Sequence, residues 1–185
     1  VSYQTSYASD DNWSGDVKRF EKSWNAQTKA METQEVWSAK AMVPGTRTIK
    51  IAGTGNTGLA EFNADNAALA SYSGTTLLSY LNRDPENANT ADTKGADRIS
   101  YLRGSRAGEG TTFRQRSGVL GDFYSSTPAV VLNTPRYLEQ FTNRLEGNTA
   151  YTTFKERIAN RTPRLYVGGN DGMLHGFNAK TGAEE

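Results

Sequence analysis

The single histidine, His175, follows Asp171 by four residues in the stretch Asn170-Asp171-Gly172-Met173-Leu174-His175. An imidazole with a carboxylate at hand is minimal equipment for proton transfer or metal binding. No second histidine exists and there are no cysteines. Zinc would therefore need carboxylates alone to complete its shell. Thiolate sites, cysteine nucleophiles and disulfides are excluded. The plainer expectation is a strand histidine satisfied by neighbouring backbone, with Asn170 and Asp171 explained by a turn. Asp122, after Leu120 and Gly121, offers an acid; its expected role is to tie its loop to nearby backbone N–H groups. Ser125, Ser126 and Thr127, just before Pro128, offer hydroxyls. They lack both the G-x-S-x-G elbow and a base.

The most oxygen-rich segment runs from Asp84 to Asp97, DPENANTADTKGAD. Counted from Asp84, Ala88 and Gly95 fall on ligand positions 5 and 12 of an EF-hand loop, so the segment fails that pattern. Arg98, Arg103, Arg114 and Arg116, with Arg106 among them, are charge-assisted donors. Acidic residues are interspersed, only Tyr101 and Phe113 stand near as aromatics, and the formal net charge is +1. That is a poor nucleic-acid footprint. Mean hydropathy is −0.68, and apolar runs such as Ala129 to Leu132 are far too short to span a bilayer. No charged and then apolar leader opens the chain; the expectation is that an exported protein would have its signal upstream of Val1.

These side chains must be held by something. At 185 residues the prior is one domain, or one domain with an appendage. Arg164–Gly168 and Met173–Phe177 read as strands, with Asn170-Asp171-Gly172 as the hairpin turn. Asn178 to Gly182 reads as a second turn, with Ala183, Glu184 and Glu185 at the start of a third strand. The N-terminal stretch echoes this unit. Gly15-x-Val17-x-x-Phe20 repeats the spacing of Gly172-x-Leu174-x-x-Phe177. Glu32–Trp37 supplies a third strand and Arg47–Gly53 a fourth, with a loop around Trp24 to Met31. A repeated four-stranded unit is the mark of a β-propeller blade, although spacing alone leaves two unrelated hairpins open.

Between the copies the pattern changes. Ala52 to Ser73 is polar and weakly patterned. Thr75–Arg83 and Ala96–Gly104 predict short helices. Tyr137–Leu145 pairs Leu138, Phe141 and Leu145 on one face, and Ala150–Asn160 pairs Tyr151, Phe154 and Ile158. Ser125–Leu132 predicts a strand beside Leu165–Gly168, covered on both faces because Ala129 to Leu132 shows no alternation. Trp13, Trp24 and Trp37 are expected to be packing anchors. The division expected is a first blade-like unit over 1–53, an insertion over 54–118, and the start of the next blade over 119–185 with a helical insertion at 135–162.

The blocks LYVGGNDGMLHGFNAKTGAE, YLRG, FRQRSGVLGDFYSSTPAVV, YTTFKERIANRTP, NWSGDVKRF and VWSAKAMVPGTRTI together resemble the C-terminal propeller region of the PilC/PilY family of type IV pilus tip proteins. Their order matches over nearly the whole chain. The most specific parts are Asn170 to His175 with Phe177, and Leu120, Gly121 and Asp122 leading to Ser126 and Pro128. The resemblance implies a mainly β fold with helical insertions: an incomplete, quinoprotein-like β-propeller. It implies a non-enzymatic role in pilus assembly and adhesion, with minor pilins or the pilus tip complex, and a host-cell ligand, as partners. It implies export to the pilus tip, cell surface or outer membrane of a Gram-negative bacterium. Family members often carry a calcium loop, which by this resemblance lies beyond Glu185; no cofactor is expected within this segment. Gly176 and Phe123 depart from the usual family residues and read as packing variation. Arg98, Arg103, Arg114 and Arg116 either hold the insertion against the propeller rim or face an acidic partner.

Two other readings compete. GNDGMLHGFNAKTG also resembles the blade repeat of quinone-dependent dehydrogenases, but no adjacent cysteine pair and no constellation for calcium and cofactor can be assembled. The third reading is a scaffold that only supports a partner domain.

Overall fold

The computed structural model describes residues 1–55, 58–87, 89–134 and 139–185. In chain order the elements are β1 Ser2–Ala8, β2 Ser14–Asn25, β3 Ala30–Ser38, α1 Ala39–Met42, β4 Lys50–Ala52, β5 Leu59–Glu61, α2 Ala64–Leu69, β6 Ser71–Tyr72, β7 Thr75–Thr76, α3 Leu77–Leu81, α4 Gly95–Leu102, β8 Ala129–Val131, α5 Glu139–Glu146, α6 Ala150–Ala159, β9 Arg164–Gly168 and β10 Leu174–Asn178. They fall into two compact units, one of Val1–Val43 with Leu120–Glu185 and one of Pro44–Val119.

The first unit holds two antiparallel three-stranded sheets, ordered β1-β2-β3 and β10-β9-β8. One core serves both: Val17, Trp37, Ala39, Leu120, Phe123, Leu165, Val167 and Phe177. Each large aliphatic or aromatic side chain removed from water there contributes about 1.5–3 kcal/mol. Along β9 and β10 burial alternates, with Leu165, Val167, His175 and Phe177 inside, as period two requires. Two hydroxyls link separate segments. Tyr3 Oη donates to the Ala179 carbonyl at 3.0 Å, and Thr5 Oγ1 to the Ser126 carbonyl at 2.8 Å.

The C-terminal hairpin forms where expected, with Gly172 in the left-handed region at φ +81°. The predicted third strand begins as a bridge between Phe177 and Glu184, and Glu185 N–H donates to the Gly176 carbonyl at 2.9 Å. The N-terminal echo holds in spacing but fails in burial. Val17 is fully buried whereas Leu174 is 73% exposed. The match is one step out of phase, and with a two-residue period one step moves a side chain to the opposite face.

Three further expectations need correction. The loop around Trp24 to Met31 is instead ladder, for Trp24 pairs with Met31 and only Ala26–Lys29 turns. Asn25 Oδ1 closes that turn by accepting from the N–H groups of Gln27 and Thr28. The Arg47–Gly53 strand does not join the first sheet, since β4 pairs with β5. The cause lies at Asp16, which accepts from Ser38 Oγ at 2.7 Å and from Lys40 N–H at 2.9 Å. Those bonds end β3 and start α1. Lastly, β8 is not covered on both faces: Ala129 is exposed, and its two valines are only half-buried. The strand pairs with β9 alone, so it borders its sheet.

Of the helical expectations in 135–162, Tyr137 and Leu138 lie outside the described residues. Phe141 and Leu145 of α5 are exposed, so they do not form the expected buried stripe; Ile158 of α6 is buried.

The second unit is built from short pieces. The hairpins β4–β5 and β6–β7 contribute two or three residues per strand. Its core is Phe62, Ala67 and Ile99, with Ile49, Ile51, Leu77, Leu78, Leu81 and Leu102 against it. Asn63 caps α2 by accepting from Asn66 N–H at 2.9 Å, and Thr76 caps α3 by accepting from Ser79 N–H at 3.1 Å, as short polar side chains do at helix starts. The predicted helices over 75–83 and 96–104 are present as α3 and α4, while β5 and α2 fall in the weakly patterned stretch from Ala52 to Ser73.

Candidate functional site

The residues singled out in the C-terminal hairpin meet the Leu120–Pro128 loop in one junction. Asp171, in the turn before β10, accepts from Gly121 N–H at 3.1 Å through Oδ2 and from Met173 N–H at 3.2 Å through Oδ1. Asn170 N–H donates to the Asp122 carbonyl at 2.9 Å, and Asn170 Nδ2 donates to Asp122 Oδ2 at 2.6 Å. The partner of the Asp122 side chain is thus an amide side chain, where backbone N–H groups had been expected. Ser126 Oγ donates to the Gly168 carbonyl at 2.6 Å. The hydroxyl is committed to holding the loop on the hairpin. Gly121 permits the close approach, because a Cβ there would lie 2.7 Å from Cβ of Asp171.

His175 sits in β10 at 2% exposure. Its Nε2 lies 3.0 and 3.1 Å from the two Asp171 carboxylate oxygens, and its Nδ1 lies 3.0 Å from Glu184 Oε1. The sequence predicts satisfaction by backbone; two carboxylates supply it instead. Ionised carboxylates only accept, so both contacts are satisfied at once by an imidazole protonated on each nitrogen. Phe123 meets the ring edge-on with centroids 5.3 Å apart, and Phe177 stacks at 6.1 Å. Burial alone would push the Asp171 carboxyl up. The hydrogen bond and charge of His175, with the N–H groups of Gly121 and Met173, outweigh it and hold the carboxyl below the usual carboxylate range. The two acids occupy opposite ring nitrogens, so they do not converge with the imidazole on one ion. Among the described residues no cluster of three His, Asp or Glu side chains could hold a metal. Glu184 escaped the sequence reading, because only the bridge to Phe177 carries it back to the histidine.

The arginines occupy the second unit. Arg98 makes two bonds to Asp92, Nη1–Oδ1 at 2.7 Å and Nη2–Oδ2 at 2.6 Å, and also donates to the Leu81 carbonyl at 2.6 Å. Asp92 is held at a pKa of about 2 by Arg98 and the Lys94 N–H. Within the oxygen-rich segment, Asp84 and Asp92 are also turn acceptors for the N–H groups of Glu86 and Lys94; Ala88 lies outside the described residues. Arg103 donates to Glu61 at 2.6 Å and to the Phe62 carbonyl at 2.8 Å. Arg116 is buried, bonds Glu109 at 2.9 Å and the carbonyls of Tyr101 and Ser105, and lies 3.5 Å over the Tyr101 ring. Arg114 alone of the four is exposed. A partner-facing role therefore concerns Arg114 above the other three. Arg47 is buried and donates to the Leu102 carbonyl at 3.2 Å; nothing in its sequence context marked it out.

Of the three tryptophans only Trp37 is a buried anchor, at 4% exposure. Trp24 is exposed. Trp13, also exposed, stacks on Tyr7 with centroids 5.9 Å apart, and Tyr7 meets Tyr124 edge-on at 5.4 Å.

The junction and its hairpin coincide with a known family. The family model of the PilY1 beta-propeller domain matches residues 120–185. The type IV pilus biogenesis factor PilY1 of Pseudomonas aeruginosa strain UCBPP-PA14 is 47% identical over 189 aligned residues, covering 100% of this chain. The chain belongs to the PilY1 family. The PilY1 of strain PAK is 41% identical over 96% of the chain, and a PilY1 homologue of Xylella fastidiosa is 37% identical over 68%. The chain spans only 16%, 15% and 10% of these three relatives. No solved structure matches.

Within the PilY1 match the mainly β architecture is that of partial blades, with no closed sheet among the described residues. The matched region opens at Leu120 and contains the whole junction from Gly121 to His175. The relatives carry the name of a pilus biogenesis factor. Among the described residues no helix is long and apolar enough to cross a membrane.

Proposed function

We propose that the chain is a non-enzymatic module for type IV pilus biogenesis and adhesion, part of a propeller that presents loops to pilins or to a host-cell ligand. The observation that carries this is the 47% identity to a pilus biogenesis factor along the entire chain. The site geometry supports it. The hydroxyl of Ser126 and the carboxylates of Asp122 and Asp171 are all engaged in joining loop to hairpin, which makes a rigid scaffold. Recognition on such scaffolds falls to loops, here residues 52–118 and 135–162. In this reading the protein is exported and acts at the pilus tip or cell surface of a Gram-negative bacterium, beside minor pilins, and the segment itself holds no cofactor.

The test is deletion of this segment from the native gene, with surface pili counted by electron microscopy and adhesion to host cells measured. Fewer pili or weaker adhesion is the expected result. Normal values for both would overturn the proposal. Replacing only 52–118 should lower adhesion or piliation while leaving the first unit folded. A scaffold with no recognition role predicts a change in stability alone.

A further inference from the structure

The side chain of His175 is 1% exposed, with Asp171 at 11% and Glu184 at 12% beside it. Nε2 faces Asp171 Oδ1 and Nδ1 faces Glu184 Oε1, each at 3.0 Å. Histidine is the side chain that ordinarily changes charge between about pH 5 and 8. A neutral imidazole carries one N–H only. A neutral His175 would therefore turn a lone pair towards one of its two ionised carboxylates, and that contact would become repulsive. The charged groups of the neighbouring elements are engaged elsewhere. Asp122 of the Leu120–Pro128 loop meets Asn170, and Arg164 of β9 meets Glu185. Arg164 and Tyr166 alternate with the buried Leu165 and Val167, so they belong to the other face of the sheet.

The two contacts are not equally tied down. Asp171 also accepts from the N–H groups of Gly121 and Met173, at 3.1 and 3.2 Å. A Cβ at Gly169 would lie 2.6 Å from Asp171 Oδ1 and 2.9 Å from His175 Nε2. Carboxylate and ring thus pack directly on that backbone. Glu184 instead belongs to Ala183–Glu185, the start of the third strand. Two main-chain bonds tie this segment to β10. Asn178 N–H donates to the Ala183 carbonyl at 2.8 Å, and Glu185 N–H to the Gly176 carbonyl at 2.9 Å. Arg164 and Glu185 pair at 2.8 Å but are 42% and 32% exposed, where an ion pair contributes little. The bond from Nδ1 to Glu184 is buried and charge-assisted, which is the stronger kind.

We propose that His175 is a proton-operated latch for the third strand. With both nitrogens protonated, the ring holds Glu184 and docks Ala183–Glu185 along β10. When Nδ1 gives its proton to solvent, the N–H left on Nε2 stays with Asp171, Glu184 is repelled, and the segment leaves. The peptide groups of Gly176 and Asn178 that it covered then form an open edge. Docking is complete while the folded ring is charged and is lost as pH rises through its titration. The junction between hairpin and Leu120–Pro128 loop stays closed, because Asp171 keeps its N–H donors. This inference goes beyond the pilus reading and does not rest on it.

The experiment uses the whole 185-residue chain, with imidazole nitrogens and backbone amides followed by NMR from about pH 6 to about pH 9. Arginine and glutamate keep their charges over that span, so the Arg164–Glu185 pair adds no change of its own. At the acid end both ring nitrogens should read as protonated. As the ring titrates, exchange protection of the Asn178 and Glu185 amides, corrected for the intrinsic rise with pH, should fall by about tenfold or more with the same midpoint. Protection of the Gly121 amide should not move. Glu184→Gln should abolish the dependence, since an amide side chain can accept from Nδ1–H or donate to the bare nitrogen. Any of four outcomes overturns the proposal. The ring carries one proton at the acid end while the segment is docked, or it keeps both to the alkaline end. Protection of Asn178 and Glu185 ignores the titration. The Gly121 amide loses protection equally, so the whole junction opens. The Glu184→Gln chain keeps the same pH dependence.

Discussion

The two units handle backbone polar groups in different ways. In the unit of Val1–Val43 with Leu120–Glu185, strands of up to twelve residues pair along their length. Carbonyls and N–H groups meet in ladders, and most of the buried side chains are apolar. Its buried polar side chains are each hydrogen-bonded: Asp16 accepts from Ser38, and His175 sits between two carboxylates. In the Pro44–Val119 unit the strands are two or three residues long, and ladders cannot reach most of the loop carbonyls. Arginines reach them instead: Arg47 to Leu102, Arg98 to Leu81, Arg103 to Phe62, and Arg116 to Tyr101 and Ser105. A guanidinium offers five donors in a fixed fork. It can answer a carbonyl and a carboxylate together, which suits a region with little regular structure. The cost is dependence on buried charge, whose loss on one side strands the other.

Substitutions can break that contrast. The largest effect is expected for Phe177→Ala, at about 3–5 kcal/mol in chemical denaturation, because the ring is fully buried among apolar neighbours. A loss under about 1 kcal/mol would show that the sheet core does not support the first unit. Next is Arg116→Met, expected to cost about 2–3 kcal/mol by removing the closer of the two guanidinium partners of Glu109, which keeps Arg106, and the donors to the carbonyls of Tyr101 and Ser105. Adding Glu109→Gln should recover part of that loss; if the single change is silent, charge does not organise the second unit. Gly121→Ala should cost about 1–3 kcal/mol, since the new methyl group must displace the Asp171 side chain. Melting temperature would report it.

A pH titration probes both units by one measurement. Asp171 and Asp92 each have folded pKa values below the ordinary aspartate value of 3.8, and Asp92 lies at about 2. A lowered carboxyl pKa stabilises the fold above the unfolded value, and that contribution is lost as pH falls through the folded value. Their contributions are therefore complete above about pH 5 and fade below pH 4, that of Asp92 towards pH 2. Carboxyl carbon shifts followed by NMR check this, and midpoints near 3.8 for both would mean that neither bond survives in solution. The smallest effect belongs to Arg114→Ala. The side chain is exposed, so stability should move by less than about 0.5 kcal/mol. A partner-binding loss without a stability loss would identify Arg114 as an interaction residue.

Much of the first unit was legible because its signals are local. The Asn170-Asp171-Gly172 turn requires a left-handed glycine, and Gly172 is one. The apolar run at Ala129–Val131 found its place beside Leu165. In the second unit, the helix at 77–81 shows in its leucine spacing and that at 95–102 in a short run closed by Gly104. What failed was long-range. The sequence pattern places the Arg47–Gly53 strand in the first sheet, since a strand carries no mark of its partner. Trp13 and Trp24 read as anchors, because an aromatic side chain looks alike in sequence whether buried or exposed.

By itself, the sequence determined the hairpin, the turn chemistry, the absence of thiol chemistry and, through the order of its blocks, the family. Those follow from residue type and near-neighbour spacing. Only the tertiary structure decided that His175 lies between Asp171 and Glu184, that Asp122 meets Asn170, and that three of the four marked arginines bond within their own unit. Glu184 is nine residues from its histidine, and Asp122 is 48 residues from Asn170. Pairings of that kind depend on where strands return in space. No local propensity records that return, because burial and hydrogen-bond satisfaction are set by the whole packed chain.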